Sequence, residues 1–306
     1  MASRSIDFRG SFTAITTPLT PDGTSIDYAL LAKQIEFQAQ GGITGIVVSG
    51  TTGESPTLEH DEYEKLVASA VELGHRHNLV VIAGTGSNST RHAVAMQKFA
   101  AKVGADGTLS VNPYYNKPTQ DGLLRHFSAI ADSADIPIML YNIPGRAAVG
   151  LTLDTIQRLA AHPNIRALKD AVGNVDFTSD TCAACPELTV LSGDDPLTLP
   201  MIAVGAQGVV SVVSNLVPDR VSALCREALA GRFETALEIH REIAPLTKSL
   251  FVETNPIPVK AAMKILGRDS GAIRLPMTPA SASTIEKLKQ VITKMELARQ
   301  SAGSAA

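Results

Sequence analysis

The sequence predicts an α/β fold: a closed (β/α)8 TIM barrel with a C-terminal helical appendage. Three observations predict it. Eight short apolar runs recur along the chain, amphipathic helical patterns separate them, and the first strand–helix turn lacks the glycines of a dinucleotide-binding sheet. The runs cover residues 12–17, 45–49, 79–83, 107–111, 137–141, 165–169, 188–191 and 208–213. Each is apolar almost throughout rather than alternating, as strands covered on both faces are. Between them, Leu30, Leu31, Ile35 and Gln38 share one helical face, and Leu66, Val67, Ala70 and Val71 share another. Gly41, Gly74, Gly104, Gly205 and Gly231 stand where left-handed helix caps are expected. Strands follow one another at roughly 20 to 34 residues, the length of one βα unit. The first turn reads Thr16-Thr17-Pro18-Leu19-Thr20, so a doubly wound sheet is the weaker alternative.

After Gly231 the strand signal stops. Residues 232–250, 258–266 and 283–299 read as helices, joined in part by the rigid connector Asn255-Pro256-Ile257-Pro258. The chain is therefore divided into a barrel over 1–231 and a helical domain over 232–306. Its last residues, 300–306, are small and polar and expected to fray.

Composition narrows the function classes. The 306 residues are 44% hydrophobic, enough for one large core. Charged residues make up 19% and the net charge is −3, which speaks against a charged disordered tail. Without a Lys/Arg-rich run or an aromatic platform, nucleic acid is not an expected partner. Met1 to Gly10 carry no apolar run and the apolar stretches are strand-sized, so neither a secretory signal nor a membrane span is expected, and the location read is cytoplasmic. Of the three cysteines, Cys182 and Cys185 form a Cys-Ala-Ala-Cys pair late in a crossover helix. They have no second Cys/His pair at zinc spacing, so they read as small helix residues on the face opposite the active site. Cys225 stands alone.

The active site of such a barrel lies at the C-terminal ends of its strands. Standing there are Thr51, Thr52 and Glu54; Thr85; Tyr114 and Tyr115; Tyr141 and Asn142; Lys169 and Asp170; Asp194 and Asp195; Ser211 and Asn215. Lys169 is the only lysine on any of the eight expected strands. Desolvation there would lower its pKa and free the amine to attack a carbonyl, although a rim lysine that snorkels or pairs with Asp170 fits the same position. Tyr141, one strand away, can supply a phenol for proton transfer or can simply pack. Gly50-Thr51-Thr52-Gly53-Glu54-Ser55 is a tight turn whose N–H groups and hydroxyls suit a carboxylate, or a plain helix-capping loop. Phosphate fits poorly, because Asp194 and Asp195 occupy the loop where barrels usually hold it. Gly84-Thr85-Gly86-Ser87-Asn88 lacks the third glycine of a dinucleotide motif, and His75-Arg76-His77 precedes the third strand on the wrong face and reads as solvated surface. No acidic or histidine cluster has metal spacing, and a Schiff base supplies its own electron sink, so no metal or cofactor is expected.

These residues resemble the dihydrodipicolinate synthase family, within the pyruvate-dependent aldolases that include N-acetylneuraminate lyase. The resemblance runs from about Phe12 to Pro279. It rests on the Gly50–Ser55 turn, Asn112-Pro113-Tyr114-Tyr115-Asn116-Lys117-Pro118, Tyr141-Asn142-Ile143-Pro144-Gly145-Arg146 and Leu168-Lys169-Asp170. Leu191-Ser192-Gly193-Asp194-Asp195 and Asn255-Pro256-Ile257-Pro258-Val259-Lys260 extend it. It implies that Lys169 forms a Schiff base with pyruvate and that Tyr141 gives and takes the proton. Thr51 and Tyr115 would complete a relay, Tyr115 crossing from a partner subunit. Thr52 and the backbone at Val210 would hold pyruvate, Arg146 would clamp the carboxylate of aspartate semialdehyde, and Gly193 would lie close to the site. A homotetramer of tight dimers without cofactor is the implied assembly. A guanidinium after the fifth strand agrees with the role of Arg146, since it can take a second carboxylate bidentately.

Two departures from the family pattern stand out. Ala147-Ala148-Val149 follow Arg146, where the synthases commonly carry a threonine. His92 and Tyr63 stand where lysine-inhibited members place a glutamate and a histidine in an effector site at the dimer interface, so weak or absent lysine inhibition is expected. Two alternatives stay open beside the synthase: the same Schiff-base chemistry on a 2-keto-3-deoxy sugar acid or hydroxy-oxo acid, and a silent metabolite-binding barrel.

Overall fold

The computed structural model describes residues 6–297, in which eight parallel strands close into one barrel in chain order. They are β1 (Gly10–Ala14), β2 (Gly45–Val48), β3 (Val80–Gly84), β4 (Gly107–Val111), β5 (Ile138–Asn142), β6 (Ile165–Asp170), β7 (Thr189–Ser192) and β8 (Gly208–Ser211). β8 returns to β1 with Gly10 opposite Gly208 and Phe12 opposite Val210. At this seam a β-carbon on Gly208 would collide with the carbonyl oxygen of Gly10, so closure requires glycine there. Phe12, Val47, Ile82, Met139, Leu191 and Val210 fill the barrel interior beneath Tyr141. All are apolar and tightly buried, the layered filling that makes such a barrel a core rather than a pore.

Every expected strand is present, β4 at its expected bounds and the others with ends shifted by one to a few residues, at β1 and β8 for identifiable reasons. β1 stops at Ala14 instead of continuing to Thr17 because Thr16 N–H donates to Asn215 Oδ1 and the Thr17 hydroxyl donates to the Gly53 carbonyl, which takes both residues off the ladder. β8 stops at Ser211 because the buried Asp195 carboxylate accepts the Val212 and Val213 N–H groups and the Ser211 hydroxyl.

The crossover helices are α1 (Tyr28–Gln40), α2 (His60–Arg76), α3 (Thr90–Lys102), α4 (Gln120–Ala131), the single turn α5 (Pro144–Ala147), α6 (Leu153–Ala160), α7 (Val175–Ala184), α8 (Thr198–Ala203) and α9 (Pro218–Leu229). Leu31, Ile35, Gln38, Leu66, Val67, Ala70 and Val71 are all buried, as their spacing requires, whereas Leu30 is only half-buried and Gln34 takes its place on the inner face of α1. Gly104, Gly205 and Gly231 take positive φ at helix ends. Two expected caps are displaced. After α1 the left-handed residue is Gly42, Gly41 being kept helical against Pro218, and after α2 it is Asn78, with Gly74 packed inside the helix against Val81.

Helices α10 (Phe233–Ser249), α11 (Ile257–Ile265) and α12 (Ala282–Lys294) follow, with Ile243, Leu246, Val259, Met263, Leu288 and Ile292 joining β8 and α9 in one apolar cluster. The last expected helix reached Arg299. Its observed end is Lys294, and residues 298–306, including the tail expected to fray, lie outside the described residues. No described helix is long and apolar enough to cross a membrane.

The two motifs read as non-catalytic have definite places. Cys182 packs against Gly205 at the end of α8, and burial pushes its thiol up to about 11 and that of Cys185 up as well, opposite to the shift that redox or metal-binding thiols need. His75 is more than solvated surface. Its Nε2 lies 2.9 Å from Asp106 Oδ2, and the same carboxylate accepts the Val81 N–H, tying the end of α2 to the barrel floor.

Between α3 and α4 the buried His126 pairs through Nδ1 with the Thr90 hydroxyl at 2.9 Å, while its Nε2 has no partner among the described residues. Burial holds its pKa down at about 4, below the ordinary 6.5. The unfolded chain therefore binds the proton first, so this stabilisation is present above pH 6.5 and is lost as pH falls from there through about 4. Thermal unfolding across that window should show a loss on the order of 2 to 3 kcal/mol that His126→Gln reduces. An unchanged acid slope in the variant would assign the loss elsewhere.

Candidate active site

The site grows from the ends of β5 and β6. In their register Tyr141 stands beside Lys169, and Asn142 beside Asp170. Because alternate residues of a strand face the same side, Lys169 and Tyr141 both turn into the barrel while Asp170 and Asn142 turn out. Lys169 is 6% exposed, and its Nζ sits 4.2 Å from the centroid of the Tyr141 ring. Burial lowers the Lys169 pKa to about 8; nearby Asp195 works against that shift and the Arg146 guanidinium adds to it. At neutral pH roughly a tenth of the amine is then unprotonated, against less than one part in a thousand for an ordinary lysine. Burial raises the Tyr141 phenol to about 12, with Arg146 opposing and Asp194 assisting. The phenol thus holds its proton, ready to donate it.

Gly193 follows β7 and closes one side of this pair. Its N–H donates to the Asp170 carbonyl at 2.7 Å, and a β-carbon on it would lie 3.0 Å from Lys169 Cε and Cγ. Only glycine leaves the amine its room.

The Gly50–Ser55 turn forms a second wall. Ser49 and Glu54 both adopt left-handed φ, of 55° and 56°, which are costly in non-glycine residues and persist only where the surroundings enforce them. The enforcement is visible. Glu54 is buried, its Oε1 is 2.5 Å from the buried Lys260 Nζ of α11, and its Oε2 accepts the Arg274 N–H. Lys260 also donates to the Thr17 carbonyl, and the Thr17 hydroxyl to that of Gly53. Thr51 and Arg146 line one cavity of about 210 Å³ at the mouth, together with Ser55, Val111, Tyr114 and Ile143. Thr52 is buried, and its hydroxyl accepts from Asn255 Nδ2 at 2.9 Å. Arg146, on the short α5, donates to the Asn255 carbonyl at 3.3 Å.

Of the residues expected at the mouth, the structure gathers Lys169, Tyr141, Thr51, Thr52, Arg146 and Gly193, with Val210 in the barrel interior in the same apolar cluster as Tyr141. Tyr115 is not gathered. It is 88% exposed with a left-handed φ of 76°, and makes no side-chain contact with the other site residues among the described residues. Asn142, Asp170, Asp195, Ser211 and Asn215 prove to be structural. Asn142 holds the Leu151 backbone, Asp170 accepts from Thr178, Asp195 ends β8 and Asn215 pins β1 to β8. Asn255 and Lys260, which the sequence offers only as part of the Asn255–Lys260 motif, anchor the Thr51-Thr52 turn. The signal available was a lysine set among apolar helix positions and an amide just before a proline.

A further cavity of about 210 Å³ lies outside the barrel between the β2 and β3 loops, lined by Ser55, His60, Tyr63, Ser87, His92 and Tyr114, with no carboxylate in its wall. The hydroxyls of Tyr63 and Ser49, which border it, have no partner among the described residues.

Among known proteins, residues 7–295 match the model of the dihydrodipicolinate synthetase family. The chain is 49% identical to the 4-hydroxy-tetrahydrodipicolinate synthase of Sulfurihydrogenibium sp., over 95% of this chain and 99% of that one. The crystal structure of dihydrodipicolinate synthase from Aquifex aeolicus superposes with a TM-score of 0.92 at 47% identity, covering 95% of this chain and 99% of that one. A monomeric dihydrodipicolinate synthase variant is also similar, with a TM-score of 0.91 at 41% identity and coverage of 95% and 97%. With the closed barrel, the interior lysine and these likenesses over nearly its whole length, the chain belongs to the dihydrodipicolinate synthase family of lyases.

Proposed function

We propose that this protein is a 4-hydroxy-tetrahydrodipicolinate synthase, condensing pyruvate with aspartate semialdehyde in lysine and diaminopimelate biosynthesis. The observation that carries this reading is the buried Lys169 amine, held near pKa 8 against Tyr141 at the barrel mouth. The neutral amine adds to the pyruvate ketone and water leaves, giving an iminium. The iminium draws electrons from the neighbouring methyl group, whose proton departs through Tyr141 and the Thr51 hydroxyl, and an enamine results. The enamine carbon bonds to the aldehyde carbon, and the aldehyde oxygen takes up the proton. The amino group of the semialdehyde then attacks the iminium carbon and displaces Lys169, closing the ring and restoring the free amine. The iminium is itself the electron sink, so the route takes no metal or organic cofactor.

Thr52 and the Val210 backbone would receive the pyruvate carboxylate, and Arg146 that of the semialdehyde. The exposed Tyr115 supports a relay completed in a partner subunit, as a homotetramer of tight dimers would provide. A guanidinium beside the mouth favours a carboxylated aldehyde over a sugar acid as electrophile.

Borohydride reduction with pyruvate should leave a stable adduct on Lys169, absent in Lys169→Ala, and its rate should rise as pH climbs through about 8 while the amine deprotonates. No adduct in the wild-type protein would leave only the silent barrel. Arg146→Gln should keep the adduct while raising KM for aspartate semialdehyde at least about tenfold. Gly193→Ala, crowding Lys169, should slow turnover roughly tenfold or more with the fold intact, as circular dichroism would verify. Steady-state rates should barely respond to submillimolar lysine, because His92 and Tyr63 give the outer cavity no anion for an amino group. Strong inhibition would assign lysine another binding mode.

A further inference from the structure

We propose that Asn255 is a positioning residue that dictates the direction of the Thr52 hydroxyl and steadies the Arg146 guanidinium, so that the two substrate carboxylates are read by one rigid unit. The inference rests on the roles of Lys169, Thr52 and Arg146 proposed above and extends them into the C-terminal helices.

Hydrogen-bond polarity carries it. The Asn255 amide nitrogen donates to Thr52 Oγ1 at 2.9 Å, and an amide N–H can only donate. One lone pair of the hydroxyl is thereby used, and its single proton must point elsewhere. No described residue accepts that proton, so Thr52 is left as a donor at the barrel mouth, as a carboxylate requires. Asn255 is 7% exposed, and its own Oδ1 has no partner among the described residues, leaving a second polar atom of the same side chain uncommitted beside the site. The Asn255 backbone carbonyl meanwhile accepts from Arg146 Nη2 at 3.3 Å. One residue at the entry to α11 thus touches both carboxylate-binding groups, which lie in the turn after β2 and on α5 and do not bond each other.

Replacing the amide by a carboxylate reverses the bond: Asn255→Asp can only accept, so it draws the Thr52 proton to itself. The half-saturating pyruvate concentration for borohydride trapping should rise about tenfold or more, the effect of losing one hydrogen bond to a charged group. Asn255→Ala frees the hydroxyl to rotate and should give a smaller rise of a few-fold. In a Thr52→Val background, Asn255→Ala should add nothing further to the pyruvate constant, because both changes remove the same donor. A residue that only supports the fold would instead lower the melting temperature and raise the constant in both backgrounds alike. Arg146 is held by the Asn255 backbone carbonyl, which Asn255→Ala retains, so KM for the aldehyde should stay at its wild-type value while the pyruvate constant rises.

Pyruvate saturation in Asn255→Asp equal to the wild type, or effects of Asn255→Ala and Thr52→Val that multiply, would overturn the proposal. If the aspartate variant does not fold, the alanine cycle decides alone. Failure of the underlying reading is separately visible as no Lys169 adduct in the wild-type protein, before any variant is made.

Discussion

The buried ion pair between Glu54 and Lys260 is the contact on which the arrangement of the mouth depends. One partner ends the β2 turn and the other lies on α11, more than two hundred positions later. Removing two charges from water costs several kcal/mol per ion unless further hydrogen bonds complete the pair. Here they do: the Thr17 carbonyl and the Arg274 N–H take up remaining valences. The pair therefore works as a register pin. It holds a turn with two left-handed non-glycine residues, and it fastens the helical region to the barrel at the point where Thr51 and Thr52 emerge.

A gradient of environments follows from that framework. Lys169 sits inside a closed parallel barrel whose neighbours are apolar below and polar above. Desolvation lowers its pKa most, and the flanking charges act in opposite directions, Asp195 upward and Arg146 downward. Asp195 is itself saturated by Ser211, Val212 and Val213, so it steadies β8 and forms no direct pair with the lysine in the structure. The amine stays partly neutral because desolvation, assisted by Arg146, outweighs the opposing charge of Asp195. Tyr141 is pushed the other way by the same burial, so the phenol keeps its proton at a pH where part of the amine has lost its own.

Polar residues at strand ends divide into two kinds that look alike in the sequence. Asn142, Asp170 and Asn215 are as polar and as well placed as Thr51 or Lys169, yet their atoms are spent on backbone groups of neighbouring loops. A strand end must satisfy the N–H and C=O groups released where the ladder stops, and short amide and carboxylate side chains do this in place. Only alternation into or out of the barrel separates the two kinds. That depends on strand ends a few residues from where hydropathy alone places them, as Thr16 and Thr17 illustrate.

The sequence by itself determined the number and order of the strands, the closed barrel over an open sheet, and Lys169 as the lone interior lysine. These are local signals: runs of β-branched residues, 3.6-residue periodicity, and one charged residue in an apolar strand. The family motifs likewise named Tyr141, Thr51, Thr52, Arg146 and Gly193 without any coordinates. Tertiary structure alone decided that Gly193 must lack a β-carbon because Lys169 passes beside it, and that His75 is tied to Asp106. It also decided that Lys260 and Asn255 of the helical region brace the turn after β2, and that Tyr115 is left exposed. The reason is one of range. Periodicity and turn chemistry act within a few residues, whereas these contacts join positions that only barrel closure and the docking of α11 bring together.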